Sequence, residues 1–580
     1  MKIDIFNFGK NENITTSLIN KEEFKDSTYY TFFIEWNETA AEANMAVEFS
    51  WSVPQNGLLY TWSQNSVLDH FLPTNYSQYK YSMISYNSPS IVLFNGKSEH
   101  KYSWALDECS KLVYFKTGVD EWDGSVSSFI KIPLKQFTKC YSTTLKLRID
   151  SETKPFSKGL EDISKWWEST LKEPPLCVPS LAKEPLYSFW YAYHRCFNAE
   201  IVEKTCEEAA KLGFKVMILD DGWQTNNMGW EGYEICGDWQ VGAEKIPDMK
   251  KHVATVHNLG MKYILWFSVP FIGEKTNSFS KFKDKILRYY LKGVGLLDPR
   301  YKEVREFLIS FYKKAVSEWD VDGLKLDFID RWIEHDDNAE YNEEMDICAL
   351  QDAVDKLLSD IVFELKQIKP DILLEFRQGY IGPNMRRFGN MFRVTDCPDD
   401  YIKNRVGVLD LRQIMGNSAV HSDMLMWHVD ETPELVAVQI ISVFFGVMQY
   451  SARFDLIPEN AIKVSKFWLD FMKEHSKVLL ESSLTAYEPH LLYTWAKATS
   501  EDECVVAVYS VDKCVIPDEK EKIFIANGTE SERVFVELKT TYIADVFDCM
   551  GNLVSEKVSL NDRVNEVKIP VGGLAVLNQK

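Results

Sequence analysis

Four short apolar runs in this chain end in carboxylates or in a carboxylate and a cation, as expected where buried strands deliver side chains to a reaction site. In Val216-Met217-Ile218-Leu219-Asp220-Asp221-Gly222-Trp223 two adjacent acids leave an apolar strand. Buried carboxylates need donors, and a ligand rich in hydroxyl groups supplies them, with Trp223 offering an apolar face to a sugar ring. A capping pair opening a loop would leave the same trace. In Val321-Asp322-Gly323-Leu324-Lys325-Leu326-Asp327 the period of two puts Lys325 and Asp327 on one face, while Leu324, Leu326 and Phe328 face the helical layer. A lysine beside an aspartate favours the ionised carboxylate, the state needed for nucleophilic attack on an anomeric carbon. An ion pair that only closes the fold has the same spacing. The other two runs are Leu373-Leu374-Glu375-Phe376-Arg377-Gln378-Gly379 and Phe392-Arg393-Val394-Thr395-Asp396, with Asp399 and Asp400 just beyond. Asp396 lies 69 residues after Asp327, far enough for two further strand-helix units to bring a second carboxyl to the opposite side of one mouth. Two carboxyls of unlike protonation are the minimum equipment for glycoside cleavage; Glu375, Asp399 and Asp400 are alternatives for the second.

Other features are weaker. Gly237-Asp238-Trp239 and Leu265-Trp266-Phe267 add acidic and aromatic groups suited to sugars, but with 17 Trp in the chain a given indole is as readily core. His335-Asp336-Asp337 and His421-Ser422-Asp423 hold metal-ligating residue types without a metal-ligating spacing, and read as solvated loops. There is no Gly-x-Gly-x-x-Gly, Walker loop, His-Glu-x-x-His or Gly-x-Ser-x-Gly, so dehydrogenase, nucleotidase and serine-hydrolase readings lose their support. No metal or organic cofactor is implied, since two carboxyls and water suffice.

The elements that must position these groups follow from pattern. A length of 580 residues exceeds what one compact core serves, and 45 % hydrophobic with 26 % charged residues is ordinary globular composition. Through residue 150 the chain alternates at period two, as in Val47, Phe49, Trp51 and Val53, with turn formers between runs; this predicts a β-sandwich over 1–175. Pro174, Pro175, Pro179 and Pro185 mark a stiff connection. Next come eight candidate strands, Tyr187–Tyr193, Lys215–Leu219, Lys262–Phe267, Gly323–Asp327, Ile372–Phe376, Met391–Val394, Ala419–Leu425 and Val443–Tyr450. Amphipathic helices alternate with them, including Val304, Leu308, Phe311 and Ala315, and Ile347, Leu350, Val354, Leu357, Ile361 and Leu365. This predicts a (β/α)8 TIM barrel over 176–480. Alternation returns over 481–580, predicting a small C-terminal β-sandwich. The net charge of −21 argues against a nucleic-acid partner. No run of about 18 apolar residues and no basic-then-apolar leader is present, and the 11 Cys contain no Cys-x-x-Cys, so a soluble cytoplasmic protein off the membrane is expected.

Taken in order, Asp220-Asp221-Gly222-Trp223, Gly237-Asp238-Trp239 with Lys245-Ile246-Pro247, Gly260-Met261-Lys262 leading into Leu265-Trp266-Phe267, and Leu324-Lys325-Leu326-Asp327 resemble the α-galactosidases of glycoside hydrolase family 36. The three-part layout resembles that family's compact members. The resemblance implies a retaining exo-hydrolase that releases terminal α-linked galactose from oligosaccharides through a covalent glycosyl-aspartate. It makes Asp327 the nucleophile and Asp396 the acid/base, the latter ending the stretch that matches the family's Trp-x-Ser-Asp segment. By the same correspondence Asp220 and Asp221 hold the galactose 4- and 6-hydroxyls, Lys325 holds a ring hydroxyl and Trp266 lines the pocket; Trp223, Trp239 and Arg377 join them as substrate-binding residues. Asp327 should be ionised, held so by Lys325 and hydrogen bonds, and Asp396 protonated before substrate arrives. Three stretches depart from the family pattern: Phe376-Arg377-Gln378-Gly379 replaces Cys and paired Gly after the fifth strand, Pro270-Phe271 replaces Pro-Glu after the third, and Tyr233-Glu234-Ile235-Cys236 lacks the Arg expected before Gly-Asp-Trp. The altered Phe376–Gly379 segment keeps open an α-N-acetylgalactosaminidase or raffinose-synthase-like galactosyl transferase on the same scaffold; a non-catalytic carbohydrate-binding protein that retains the pocket is the alternative from a different class.

Overall fold

A computed structural model describes residues 7–9, 11–25, 27–43, 45–64, 66–137, 140–229, 232–377, 379–398 and 400–580. Asp399 and Gln378 therefore lie outside the described residues. At the centre is a parallel eight-stranded sheet of Leu186–Ser188, Val216–Leu219, Lys262–Ser268, Gly323–Asp327, Leu373–Arg377, Met391–Arg393, Ala419–His421 and Gln449–Tyr450. From the first to the seventh each strand pairs with the next in sequence, and the eighth pairs with the first. Closure is completed where Ser422 N donates to Val447 O and Val447 N to Val420 O, both within 2.9 Å. The sheet is thus the expected barrel.

Two strands are shorter than their apolar runs suggest. The first stops at Ser188 and turns into the short helix Trp190–Tyr193, although the run Tyr187–Tyr193 predicts strand throughout. The last keeps only Gln449–Tyr450, because Val443, Phe444 and Gly446 finish helix Pro433–Ser442 in turns. Around Val443 a largely apolar run fits a buried strand or a buried turn equally well, whereas Trp190–Tyr193 is only half-buried. The helices follow their stripes: Lys302–Glu318 buries Val304, Leu308 and Ala315, and Leu350–Ile368 buries Leu350, Val354, Leu357, Ile361 and Leu365, with Ile347 ahead of its start. Side-chain caps fix several helix starts, Asn198 on Ile201 N, Asp248 on Lys251 N and Asp400 on Lys403 N.

Before the barrel lie a five-stranded and a seven-stranded antiparallel sheet. Strand Ala46–Pro54 turns Val47, Phe49, Trp51 and Val53 into a core shared with Phe32, Ile34, Trp104 and Phe115. After the barrel come a seven-stranded and a three-stranded sheet with a core around Val506, Ile525, Val536 and Leu577. One buried carboxylate joins all three parts. Asp410, in helix Tyr401–Ile414, accepts from Trp62 Nε1 at 3.0 Å and from Tyr493 OH at 2.6 Å.

Candidate active site

Barrel register decides which side chains meet. Ile264 pairs with Gly323, Trp266 with Lys325 and Ser268 with Asp327; Gly323 then pairs with Leu373 and Lys325 with Glu375, and Arg377 pairs with Arg393, which pairs with His421. Because period two alternates faces, these residues form stacked layers inside the barrel. The lower layer is apolar, with Leu186, Ile218, Ile264, Leu373, Met391 and Ala419 in one cluster. Above it come Lys325 and Glu375, and at the carboxyl end Asp327, Arg377 and Arg393. Charged residues that close apolar strands therefore converge on the mouth.

Asp327 is buried, and its two oxygens differ. Oδ1 accepts from Tyr380 OH at 2.5 Å, Phe328 N at 2.7 Å and Arg377 Nε at 2.9 Å, whereas Oδ2 accepts from Trp266 Nε1 at 3.0 Å. Phe328 has φ 65°, a left-handed backbone rare for a bulky residue, and this turn folds its own N–H back onto the carboxylate. Burial pushes the Asp327 carboxyl up; Arg377 first, then Lys325, Tyr380 and Trp266 reverse this and leave it below the usual carboxylate range. The expected ionised state holds, but Arg377 rather than Lys325 is its main electrostatic cause. Lys325 Nζ points to Asp220 Oδ2 at 2.6 Å.

Asp396 is the other acid of the mouth, with 45 % of its side chain exposed. Arg377 Nη1 reaches its Oδ2 at 3.1 Å and Arg393 Nη2 its Oδ1 at 2.8 Å. Partial burial pushes this carboxyl up, but Arg393, Arg377 and Lys325 together hold it well below the ordinary range. The expectation that Asp396 stands protonated is thus corrected: two guanidiniums keep it charged in this arrangement. Arg393 is itself buried, pinned to Asp423 and 3.7 Å from Glu375. Glu375 is fully buried one layer down, accepting from Gln449 Nε2 at 2.6 Å, and Asp400 caps a helix; neither faces the mouth as Asp396 does.

The acid pair at the second strand is likewise partnered. Asp220 Oδ1 accepts from Asp221 N at 2.9 Å. Asp221 Oδ2 accepts from Arg195 Nε at 3.0 Å and Nη2 at 2.5 Å, while its Oδ1 accepts from Gln224 Nε2 at 2.6 Å. Protein cations therefore meet these carboxylates where hydroxyls alone were anticipated; lone pairs remain on each for a further donor. Arg195 comes from the loop after the first strand. Lys245 of the Lys-Ile-Pro motif ties two loops together, donating to Arg195 O at 2.8 Å and Gly222 O at 3.0 Å.

Two aromatic expectations are corrected. Trp223 is wholly buried, its Nε1 bound to Trp266 O and its ring packed 5.9 Å from Trp239, so it presents no face to a ligand. Trp239 is buried against Trp266 and Phe267, and Asp238 closes a loop by accepting from Asn277 N and Ser278 N. These indoles are the packing behind Trp266, which alone of the three reaches a mouth carboxylate. Arg195, Tyr380 and the left-handed Phe328 are the site residues that sequence reasoning missed. Tyr380 and Arg195 lie in loops without periodicity; only their proximity in chain to Arg377 and to the first strand end marked them. His335 is exposed, and His421 is buried, its ring nitrogen Nε2 2.7 Å from Ala182 O; burial lowers it to about 4. Among the described residues no three His, Cys, Asp or Glu side chains are grouped to hold a metal ion.

Known proteins resemble this chain in sequence over part of its length and in fold over nearly all of it. The Melibiase family model matches residues 153–388. The α-galactosidase Mel36A of Lactobacillus acidophilus is 28 % identical over 149 residues, 24 % of this chain and 20 % of that protein, and α-galactosidase 1 of Pediococcus pentosaceus is 29 % identical over 180 residues, 30 % of this chain and 24 % of that protein. These matches span about a fifth to a quarter of the curated relatives' length. In fold, the GH36 α-galactosidase AgaB of Geobacillus stearothermophilus superposes with a TM-score of 0.63 at 13 % identity, covering 100 % of this chain and 86 % of that one. A variant of AgaA from the same organism, solved with 1-deoxygalactonojirimycin, gives 0.62 at 14 % identity, covering 96 % and 80 %.

Proposed function

We propose that this chain, whose residues 153–388 match the Melibiase family model, is a retaining α-galactosidase of that family acting on terminal α-linked galactose of oligosaccharides. The observation that carries the reading is the pairing, at the carboxyl ends of the fourth and sixth barrel strands, of two carboxylates joined by one guanidinium, Asp327 and Asp396. Asp327 Oδ2, which accepts a single protein hydrogen bond from Trp266, attacks the anomeric carbon as the bond to the leaving oxygen breaks. Asp396 delivers a proton to that oxygen, then takes one from the water that cleaves the glycosyl ester, freeing the sugar with its α configuration and returning Asp327 as carboxylate. Asp220, Asp221 and Lys325 bind sugar hydroxyls; lone pairs on the two acids and N–H groups of Lys325 beyond those engaged inside the protein support this.

Among the described residues no helix is long and apolar enough to cross a membrane. The 11 Cys are free, which supports a cytoplasmic location. The test is an NMR time course of the first anomer released from a panel of α-galactosides and α-N-acetylgalactosaminides, run with and without a sugar acceptor. α-Galactose appearing before mutarotation is expected; first release of the β anomer, transfer to acceptor in place of hydrolysis, or binding without cleavage would overturn the reading.

A further inference from the structure

The three stretches that depart from the family pattern meet on one ring. Tyr233 packs edge-on to Phe328 with centroids 5.4 Å apart, Phe271 stacks on it at 4.7 Å, and the Arg377 guanidinium lies 5.3 Å from its centroid. The left-handed backbone of Phe328 holds the ring beside Asp327, and the aromatic face holds the cation. Arg377 spends Nε on Asp327, Nη1 on Asp396 and Nη2 on Tyr380 OH at 2.6 Å.

We propose that Arg377 is a positioning residue that clamps the two carboxylates together, and that its arm to Asp396 is exchanged for the glycosidic oxygen when substrate docks. This rests on the glycosidase reading. To act as an acid, Asp396 must carry a proton, yet an N–H of Arg393 faces Oδ1 and an N–H of Arg377 faces Oδ2. A proton on either oxygen would confront a donor. Arg393 is fixed by Asp423 and Glu375 and is buried; Arg377 is 17 % exposed, so its arm is the one that gives way. Asp396 then takes a proton from solvent and passes it to the leaving oxygen. Nε stays on Asp327, which remains a carboxylate, and the two acids thereby acquire opposite charge states from one movement.

The surrounding charges are accounted for. Lys325 also faces both carboxylates. Asp423 and Tyr191 lie on the Asp396 side, and Asp330, Tyr233 and Tyr380 on the Asp327 side. Of these, Asp330 and Tyr380 also feel the Arg377 guanidinium, and its loss raises both, so the test reads Asp396 itself as well as the limbs.

The pH profile of kcat/KM on a galactosyl disaccharide, whose leaving group needs protonation, reads the free-enzyme carboxyls. Removing the cation raises both, so in Arg377→Met both limbs should move alkaline by about one pH unit or more. Arg377→Lys, whose ammonium cannot span both acids, should hold one limb nearer wild type and carries the test if the Met variant fails to fold. Lower activity with unmoved limbs would overturn the proposal. Independently of turnover, 13C-aspartate NMR, with Asp396 assigned through Asp396→Asn, should show its carboxyl titrating higher in Arg377→Met; an unchanged titration would also overturn it. A titration that shifts in Arg377→Met while the wild-type protein cleaves no α-galactoside would instead remove the glycosidase reading and leave the clamp standing.

Discussion

At Asp327 the chemistry is decided by how two oxygens of one carboxylate are loaded. Three donors crowd Oδ1 and one reaches Oδ2, so the group is anchored by one oxygen and leaves the other for the proposed attack. Asp327→Asn preserves the shape and removes the charge; hydrolysis of aryl α-galactosides should fall by roughly a thousand-fold or more with unfolding unchanged. Retained turnover would transfer the nucleophile's role elsewhere. Tyr380→Phe tests the anchor. A hydrogen bond to a charged group is worth about 1.5–3 kcal/mol, so kcat/KM should drop by roughly 10- to 100-fold. The sign in pH follows from Asp327 being held below its ordinary range: losing a donor raises its carboxyl, and the acidic limb should move to higher pH. A limb that stays put would reduce Tyr380 to packing.

At the scale of elements, strand ends aim the charges and caps fix where helices begin. Lys325 and Asp327 share a face because a strand alternates, and the parallel register then brings Glu375, Arg377 and Arg393 alongside. That part was legible: the fourth strand, Gly323–Asp327, has the same bounds in pattern and structure. Asp400 shows the opposite case. As a carboxylate just beyond Asp396 it stood as an alternative to it, but it accepts from Lys403 N and starts helix Tyr401–Ile414. Asp400→Ala should cost about 1 kcal/mol of stability and leave the kinetics alone. A loss of kcat with unchanged thermal midpoint would contradict the capping role.

Across the whole molecule, Asp410 fastens the sandwich and the C-terminal sheets to the barrel. Burial pushes its carboxyl up to about 7, against the hydrogen bonds from Tyr493 and Trp62. The folded protein therefore binds a proton that the unfolded chain gives up near pH 4, and this group's contribution to stability should fall as pH rises from about 4 to about 7. Asp410→Asn mimics the protonated acid. Its thermal midpoint should match wild type near pH 4 and exceed it by several degrees at pH 8; parallel pH dependences would show that Asp410 is not the titrating joint.

The alternation of apolar residues, the acids closing each run and the order of the motifs were properties of the sequence alone, because strand period and burial act on neighbours along the chain. From them came the barrel and the prominence of Asp327 and Asp396. Tertiary structure decided which cation stands beside which acid. Arg377 rather than Lys325 became the neighbour that governs Asp327, Arg195 was brought to Asp221 from a distant loop, Asp396 was held charged between two arginines, and Trp223 and Trp239 were packed away behind Trp266. Electrostatic and packing partners are set by distance in space, which a spacing along the chain does not encode.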